Sequence, residues 1–392
     1  MNDSEKTPTK PRGRKALICT IMVLASVCCV WLYRTKTQRD LNTQLLGAVK
    51  KNDTEAVIAL LARGADPNIR DVAENRMTLW EQIGSVFRRQ TTSPEDRKQW
   101  DSYNTENQMP TVLEIAIEPY SSSDYQPHKE NLPLVKAILD AGARVNDYES
   151  DYMTPLMDAV SYDRLKTVQL LLDHGANPLT RNDLGQSPIH VAQSLKVAQL
   201  LVRLGNDVNA TANDGSTPLM TLTAKDKAAT MRFLISQGAR VNSRAKDGTS
   251  ALLAATESED TEGTKLLLEH GAEVNISDKD RVTPLDNAAN GEPVQIVKML
   301  FEHGARVDPV DKDGDTPLTT CLESNNSPDI VAVLIAHGAD VDHRNKAGET
   351  PLSLAKKNSY KQIIKLLVAA GAKRGAADPP TKERLLKEPS AR

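Results

Sequence analysis

Residues 313–339 read DGDTPLTTCLESNNSPDIVAVLIAHGA, and this stretch is the unit from which most of the chain is built. Its closing Gly-Ala pair recurs along the sequence. From Gly142 onward the corresponding glycines lie 33, 30, 33, 33, 33, 34 and 33 residues apart. An aliphatic residue 14 positions after each of these glycines keeps the same step. A sustained period of about 33 residues is the signature of a stacked repeat array.

Each unit predicts two helices joined by a short turn. Thr-Pro-Leu opens the first, because threonine caps helix N-termini and proline is tolerated in the first turn. The second carries a Val-x-x-Leu-Leu pattern and ends at glycine, where a positive φ is wanted. The positions four before the glycines are all aliphatic and should be core. The positions three after the landmark residues are mostly small, so Cys321 in this series is predicted to be a packing residue rather than a nucleophile.

These motifs resemble those of the ankyrin repeat family over roughly residues 41–375. They are Asp-Gly-x-Thr-Pro-Leu (214–219, 313–318), His-Gly-Ala (174–176, 270–272, 303–305, 337–339) and Val-Asn (145–146, 208–209, 241–242, 274–275). The resemblance implies an all-α, L-shaped solenoid with short β-hairpin fingers, here about nine helix pairs. It also implies that the chain binds another protein, without naming that partner.

The N-terminal region predicts a membrane anchor. Residues 16–33 read ALICTIMVLASVCCVWLY, 18 residues without a charge, close to the length that spans a bilayer. The segment follows a basic tail (1–15) and precedes a linker (34–40). A slight excess of basic residues before the span favours a cytoplasmic N-terminus, so the repeats would lie outside the cytoplasm. A cleaved signal peptide, which would give a secreted array, is the alternative.

The spacing departs from the period in one region. Gly64 and Gly142 are 78 residues apart, which predicts insertions at about residues 70–110 and 118–133; two degenerate repeats are the weaker alternative. The Gly175–Gly205 unit is three residues short, around Ser194. Tyr152 and Arg281 occupy the usual glycine position of the turn, at some cost in strain. After residue 375 the chain becomes a polar tail, 376–392.

Composition argues against several other functions. The formal net charge is −3, and the basic residues concentrate in the first 40 positions, so a net-acidic array is a poor nucleic-acid binder. The four histidines of the His-Gly-Ala motifs would stand about 10 Å apart, too far to share a zinc ion. The acidic run from Asp308 to Asp315 lacks the EF-hand glycine and closing glutamate. We therefore predict no cofactor, no metal, no small-molecule substrate and no catalysis; an enzyme with its site in residues 70–133 is the alternative.

Protein-binding residues are predicted by position. In the family that these motifs resemble, partners meet the concave face made of finger tips and first helices. The corresponding positions here are Tyr148, Tyr152, Asp158, Tyr162, Asn182, Asn213, Lys246, Asp280, Arg281, Lys312 and Lys346. The aromatic residues of this chain cluster within residues 80–162, which adds Trp80, Phe87 and Trp100, because aromatics are common interface anchors. Alternatively, Trp80 and Phe87 pack the first insertion onto the array.

Overall fold

A computed structural model describes residues 33–69, 111–117, 130–147, 153–222, 227–291, 293–324 and 327–373. Within these ranges, nine first helices alternate with nine second helices. The first helices are α1 (33–50), α3 (Val112–Ile117), α5 (Pro155–Ser161), a 3₁₀ turn (Pro188–Val191), α8 (Pro218–Thr221), α10 (Ala251–Glu257), α12 (Pro284–Asn290), α14 (Pro317–Ser324) and α16 (Pro351–Lys357). The second helices are α2 (Thr54–Ala62), α4 (Leu132–Asp140), α6 (Leu165–Asp173), α7 (Leu195–Arg203), α9 (Ala228–Ser236), α11 (Thr261–Glu269), α13 (Val294–Glu302), α15 (Pro328–Ala336) and α17 (Lys361–Ala369).

The seventh pair shows why the motif folds in this way. Thr283 caps α12 and forms a reciprocal capping box with Asp286, while Pro284 occupies the first turn. Gly304 ends α13 with φ at 85°. Its N–H donates to Phe301 O (3.0 Å), and the next N–H, of Ala305, donates to Leu300 O (2.9 Å). These two bonds form a Schellman motif, which explains why glycine recurs at this position.

The helices belong to two compact units. Unit 1 comprises the described residues up to Ala159 together with Lys166–Ala176; unit 2 comprises Val160–Leu165 together with the described residues from Asn177 onward. In unit 2, first helices pack against first helices, as α12 does against α14, and second helices against second helices, as α13 does against α15. In unit 1, α2 packs against α4 in the same manner. Each unit is therefore a stack of helix pairs, as the repeat predicts.

The core follows the predicted aliphatic series. The positions four before the glycines are buried in every pair: Leu60, Ile138, Leu171, Leu201, Leu234, Leu267, Leu300, Leu334 and Leu367. The small-residue series is buried as well, including Cys321 at 0% exposure. Burial raises the pKa of the Cys321 thiol to about 12. A thiol that is inaccessible and fully protonated is a packing residue, as predicted.

The fingers differ from the prediction of β-hairpins. In the part of the chain that the structure describes, they are tight turns rather than paired strands. In the finger of repeat 8, the N–H of Asp311 donates to Asp315 O (3.0 Å), while Asp311 Oδ1 accepts the N–H groups of Asp313 and Asp315, both at 2.8 Å. Because a side chain takes the N–H groups that a strand ladder would use, the finger closes as a turn.

Two irregularities of the sequence have local solutions. The short fourth repeat replaces its first helix with the 3₁₀ turn, and Ser194 then caps α7 by accepting the N–H of Val197. Arg281 adopts a positive φ of 65° at the predicted glycine position, as anticipated. Tyr152, the insertion at 70–110 and most of the insertion at 118–133 lie outside the described residues.

The predicted membrane localisation needs correction. The proposed transmembrane helix at 16–33 lies, except for Tyr33, outside the described residues. The helix α1 carries Arg34, Lys36 and Asp40 among its first exposed residues. Across the described ranges, no helix combines the length and the apolar character needed to cross a bilayer. The prediction of a single-pass membrane protein with extracytoplasmic repeats is contradicted by this finding and is not retained.

Candidate protein-binding surface

The finger tips of unit 2 are joined in one row by backbone hydrogen bonds. In each case the N–H of one tip donates to a carbonyl of the preceding tip. The bonds are Asn213 to Leu184 (2.8 Å), Lys246 to Asp214 (2.7 Å), Lys279 to Asp247 (2.8 Å), Lys312 to Asp280 (2.9 Å) and Lys346 to Asp313 (3.2 Å). We call this row the finger ladder. It fixes the spacing of the tips through the main chain, so the side chains there are free to differ.

Side chains of the finger ladder are charged and exposed. Lys246, Lys279, Lys312 and Lys346 occupy the same position of successive turns, and all four are exposed. Lys312 Nζ lies 2.9 Å from Asp280 Oδ2; this hydrogen bond and the charge of Asp280 raise the pKa of Lys312. Lys346 Nζ donates to the main-chain oxygen of Lys312. Exposed ion pairs of this kind add little stability, so these side chains are available to a partner.

The remaining described candidates differ in accessibility. Arg281 is exposed. Asn213 is exposed too, and its Nδ2 donates to Asp183 O at 2.7 Å. Asn182, by contrast, is only 5% exposed. Its Oδ1 accepts the N–H of Gln186 at 2.8 Å, and its Nδ2 donates to Gln186 Oε1 at 3.2 Å. Asn182 therefore closes its own finger and offers no surface.

Two candidates lie on α5 and in the turn that follows it. Asp158 is half-buried, whereas Tyr162 keeps 38% of its surface exposed. The structure thus brings Asn213, Lys246, Asp280, Arg281, Lys312 and Lys346 together in one row, and leaves Asp158 apart from it on a helix. Trp80, Phe87, Trp100, Tyr148 and Tyr152 fall outside the described residues.

Sequence reasoning missed two features of this surface. Lys279 is the true equivalent of Lys246 and Lys312, and its constant 33-residue spacing would have identified it. Leu184, at the tip of the first finger of unit 2, is 49% exposed. A large apolar side chain on a turn is a plausible contact residue, because exposed apolar groups often mark interaction sites.

An apolar groove runs between α4 and α6 in unit 1. It has a volume of about 550 Å³ and is lined by Leu132, Pro133, Lys136, Lys166, Gln169, Leu170 and Asp173. Close to it, Glu130 Oε1 accepts both the N–H and the hydroxyl of Thr167 at 2.8 Å. Glu130 therefore ties the start of α4 to the first turn of α6. The sequence did not predict this groove.

Buried titratable side chains occupy equivalent positions in three separate repeats. Glu114, His190 and Asp286 each lie three residues after the residue that begins their helix or turn. Each bonds back to that residue: for example, Thr283 N donates to Asp286 Oδ2 at 2.8 Å. Burial raises the pKa of Asp286 to about 6 and lowers the pKa of His190. These groups stand one to a repeat and close helix ends, which is a structural role.

The histidines of the His-Gly-Ala motif have a structural role as well. His174, His270, His303 and His337 each place Nδ1 2.8 Å from the carbonyl oxygen four residues earlier. His337 also stacks on Phe301, with the ring centroids 4.0 Å apart. In the described ranges no three His, Cys, Asp or Glu side chains are grouped as a metal site would require.

Comparison with known proteins identifies this repeat. A family model for ankyrin repeats, in three copies, matches residues 126–212, 193–278 and 285–378, which together exceed half of the chain. The chain belongs to the ankyrin repeat family. Its stacked helix pairs confirm the repeat fold inferred from the sequence. Ankyrin repeats typically bind other proteins, and the fold is generally a non-catalytic interaction module, although some relatives are enzymes that carry ankyrin repeats.

Similar proteins share the repeats rather than their full length. An ankyrin repeat protein of fowlpox virus (strain NVSL) is 32% identical over 108 residues, which is 26% of this chain and 18% of that protein. The human mitochondrial disaggregase is 32% identical over 166 residues, 41% of this chain and 21% of that protein. A transient receptor potential cation channel subfamily A member 1 homolog of Caenorhabditis elegans is 42% identical over 59 residues, 15% of this chain and 5% of that protein. The chain thus matches about a fifth or less of each of these relatives.

Proposed function

We propose that this ankyrin repeat chain is a protein-binding scaffold with no catalysis of its own. We further propose that its partner contacts the finger ladder of unit 2, on the face that the family resemblance identifies as concave. The contact residues would be Asn213, Lys246, Lys279, Asp280, Arg281, Lys312 and Lys346. The observation that carries this proposal is the finger ladder itself, which holds a row of exposed charged side chains on a fixed main-chain spacing.

The chemistry of the row favours a polar partner surface. Four lysines repeat along it, and three of them are followed directly by an aspartate: Asp247, Asp280 and Asp313. Alternating charges give selectivity in binding, because a partner whose charges are out of register meets like charges at several tips. Apolar anchoring would then come from Leu184, and from the aromatic candidates Trp80, Phe87, Trp100, Tyr148 and Tyr152, which are proposed from the sequence alone. Tyr162 and Asp158 are secondary candidates.

A pair of charge-matched variants tests the proposal. The finger variant carries Lys246→Glu, Lys279→Glu and Lys312→Glu. The control carries Lys265→Glu, Lys298→Glu and Lys365→Glu, which are exposed positions on second helices. Both change the net charge equally, and neither removes a main-chain bond of the finger ladder. Circular dichroism and thermal unfolding should show that both variants fold.

Partner capture from an extract of the source organism, followed by mass spectrometry and a direct affinity measurement, gives the result. We expect one defined protein to bind the wild type and the control, and the finger variant to bind it at least tenfold more weakly. An equal loss in both variants would show that only overall charge matters, and unchanged binding in the finger variant would place the contact elsewhere. A second capture with residues 70–110 deleted measures the contribution of the insertion. Turnover of a substrate by the purified chain would contradict the non-catalytic proposal.

A further inference from the structure

A side-chain clamp joins each repeat loop to the next. In the complete form, an asparagine four residues after the glycine uses both atoms of its amide. Asn275 Oδ1 accepts the N–H of Arg306 (2.8 Å), and its Nδ2 donates to Gly304 O (3.0 Å). The amides of Asn209 and Asn242 bond the next loop in the same way in unit 2, as does Asn68 in unit 1. The amide clamp therefore supplies one acceptor and one donor per joint.

Two irregular joints are repaired by other amides. At the start of unit 2, Leu179 stands where an asparagine is expected, and Asn206 replaces the usual alanine of the following loop. Asn206 Nδ2 donates backwards to Pro178 O at 3.0 Å, so the amide has moved to the other side of the joint. In α1, Gln38 Nε2 donates to Gly64 O (2.8 Å) and Asn42 Oδ1 accepts the N–H of Asp66 (3.0 Å). These replacements indicate that the donor to the loop carbonyl is important.

The joint between the eighth and ninth pairs is not repaired. Asp308 occupies the asparagine position and its carboxylate accepts the N–H of Asp340, at 3.1 and 3.3 Å from its two oxygens. A carboxylate has no N–H to donate to Gly338 O. Charged acceptors usually form shorter bonds than neutral ones, yet this bond is longer than the 2.7–2.9 Å of the asparagine clamps. Two facing acceptor oxygens explain the difference.

Two further observations weaken the same joint. Pro309 follows Asp308 and has no N–H, so the loop lacks the turn hydrogen bond that Ile276 makes to Glu273 O in the preceding repeat. The bond of the finger ladder across this joint, from Lys346 to Asp313, is its longest at 3.2 Å. Other side-chain bonds do cross the joint: His343 to Gly314 O, Asn345 to Asp315, and Asn358 to Leu322 O. The weakness is therefore in the loop clamp.

We propose that the ninth helix pair, α16 and α17, opens as a separate unit while the rest of unit 2 stays folded, because its joint lacks the amide clamp. Opening would uncover the apolar side of α14 and α15 that α16 and α17 cover. In a stacked repeat, each pair is held only by its neighbours, so the weakest joint determines where the array opens.

Protonation of Asp308 would restore the missing donor. Burial raises the pKa of the Asp308 carboxyl, and the nearby Asp340 raises it further, while the N–H of Asp340 and the side chain of His343 act in the opposite direction. Since the pKa is raised in the closed state, closure gains stability as the pH falls through that value and loses it as the pH rises. The ninth pair should accordingly be held more tightly in acid than at neutral pH.

Hydrogen exchange of the full-length chain, followed by mass spectrometry, tests this proposal. At pH 7 we expect peptides from residues 351–369 to exchange faster than peptides from 284–302. The variant Asp308→Asn should slow exchange in 351–369 by about fivefold, since one net hydrogen bond is worth about 1 kcal/mol, and should leave 284–302 unchanged. At pH 5, after correction for intrinsic rates, the difference between wild type and variant should shrink.

The matched control is Asn275→Asp, which places the same defect inside the array. It should speed exchange in α14–α17 together, because the weak joint then lies before the eighth pair. If Asp308→Asn leaves the exchange of 351–369 unchanged, or if α16–α17 and α12–α13 of the wild type exchange at one rate, the proposal is wrong. Because His343 is present in both wild type and Asp308→Asn, its own titration cancels in their comparison.

Discussion

Replacing Gly263 with alanine should destabilise the protein, although helix propensity alone predicts the opposite. Gly263 lies in the first turn of α11, and its N–H donates to Oδ1 of the capping residue Asp260 at 2.9 Å. A Cβ built at this position would lie 2.0 Å from Asp260 Oδ2, 2.7 Å from its Cγ and 3.2 Å from Met231 Sδ. The capping carboxylate would therefore have to move.

The magnitudes of the two effects decide the sign. Alanine in place of glycine within a helix gains about 1 kcal/mol. Loss of a capping side chain costs about 1 kcal/mol, and a buried polar group that loses its partner costs about 1–3 kcal/mol. Asp260 is only 3% exposed, so both costs apply. We expect Gly263→Ala to lower the free energy of unfolding by about 1–2 kcal/mol.

Urea unfolding followed by far-UV circular dichroism measures this change. Gly47→Ala is the matched control, because Gly47 lies in α1 and a Cβ there would meet no atom within 4 Å. It should stabilise the protein by up to about 1 kcal/mol. Asp260→Ser provides a second control, since serine also caps helices but is shorter, and Gly263→Ala should become less harmful in that background. Equal stabilisation by Gly47→Ala and Gly263→Ala would refute the reasoning.

Three other substitutions test the core and the buried groups. Asp286→Asn should stabilise the protein at pH 8 but not near pH 4, by as much as about 3 kcal/mol. This follows because the pKa of Asp286 is raised to about 6 from 3.8, so its folded-state cost appears only as the pH rises through that range; thermal unfolding across pH measures it. Leu300→Ala should cost roughly 2.7–5 kcal/mol in urea unfolding, whereas Leu179→Ala, at a position 53% exposed, should change stability by less than about 0.5 kcal/mol. Cys321 should resist a thiol reagent until the protein unfolds, because burial raises its pKa to about 12; reaction at the native rate of a free thiol would contradict this, and the assay needs serine at Cys19, Cys28 and Cys29.

The sequence predicted the repeat and its core because both depend on positions that recur. Gly304 must take a positive φ and Leu300 must be buried in every copy, so the period alone located them. The fingers were harder to predict. A short polar segment between helices is compatible with a hairpin or a turn, and the bonds from Asp311 Oδ1 that favour the turn are not visible in a pattern.

The candidate surface was only partly predictable, for a similar reason. Asn182 and Asn213 have similar sequence contexts, yet Asn182 turns inward onto Gln186 and is buried. Lys279 was missed because the non-glycine Arg281 obscured the register of its finger. The Val-Asn motif was recognised as framework, but the role of its amide became apparent only when Gly304 and Arg306 were seen as its two partners.

The finger ladder separates the position of a contact from its chemistry. The bond between Lys279 and Asp247 uses only main-chain atoms, as does the bond between Asn213 and Leu184. A mutation at a tip can therefore change the sign of a charge without moving the neighbouring tips. Duplication or loss of a whole repeat would shift the pattern by one complete step and leave the remaining steps intact. Such a surface can acquire a new partner through single substitutions while its geometry is inherited unchanged.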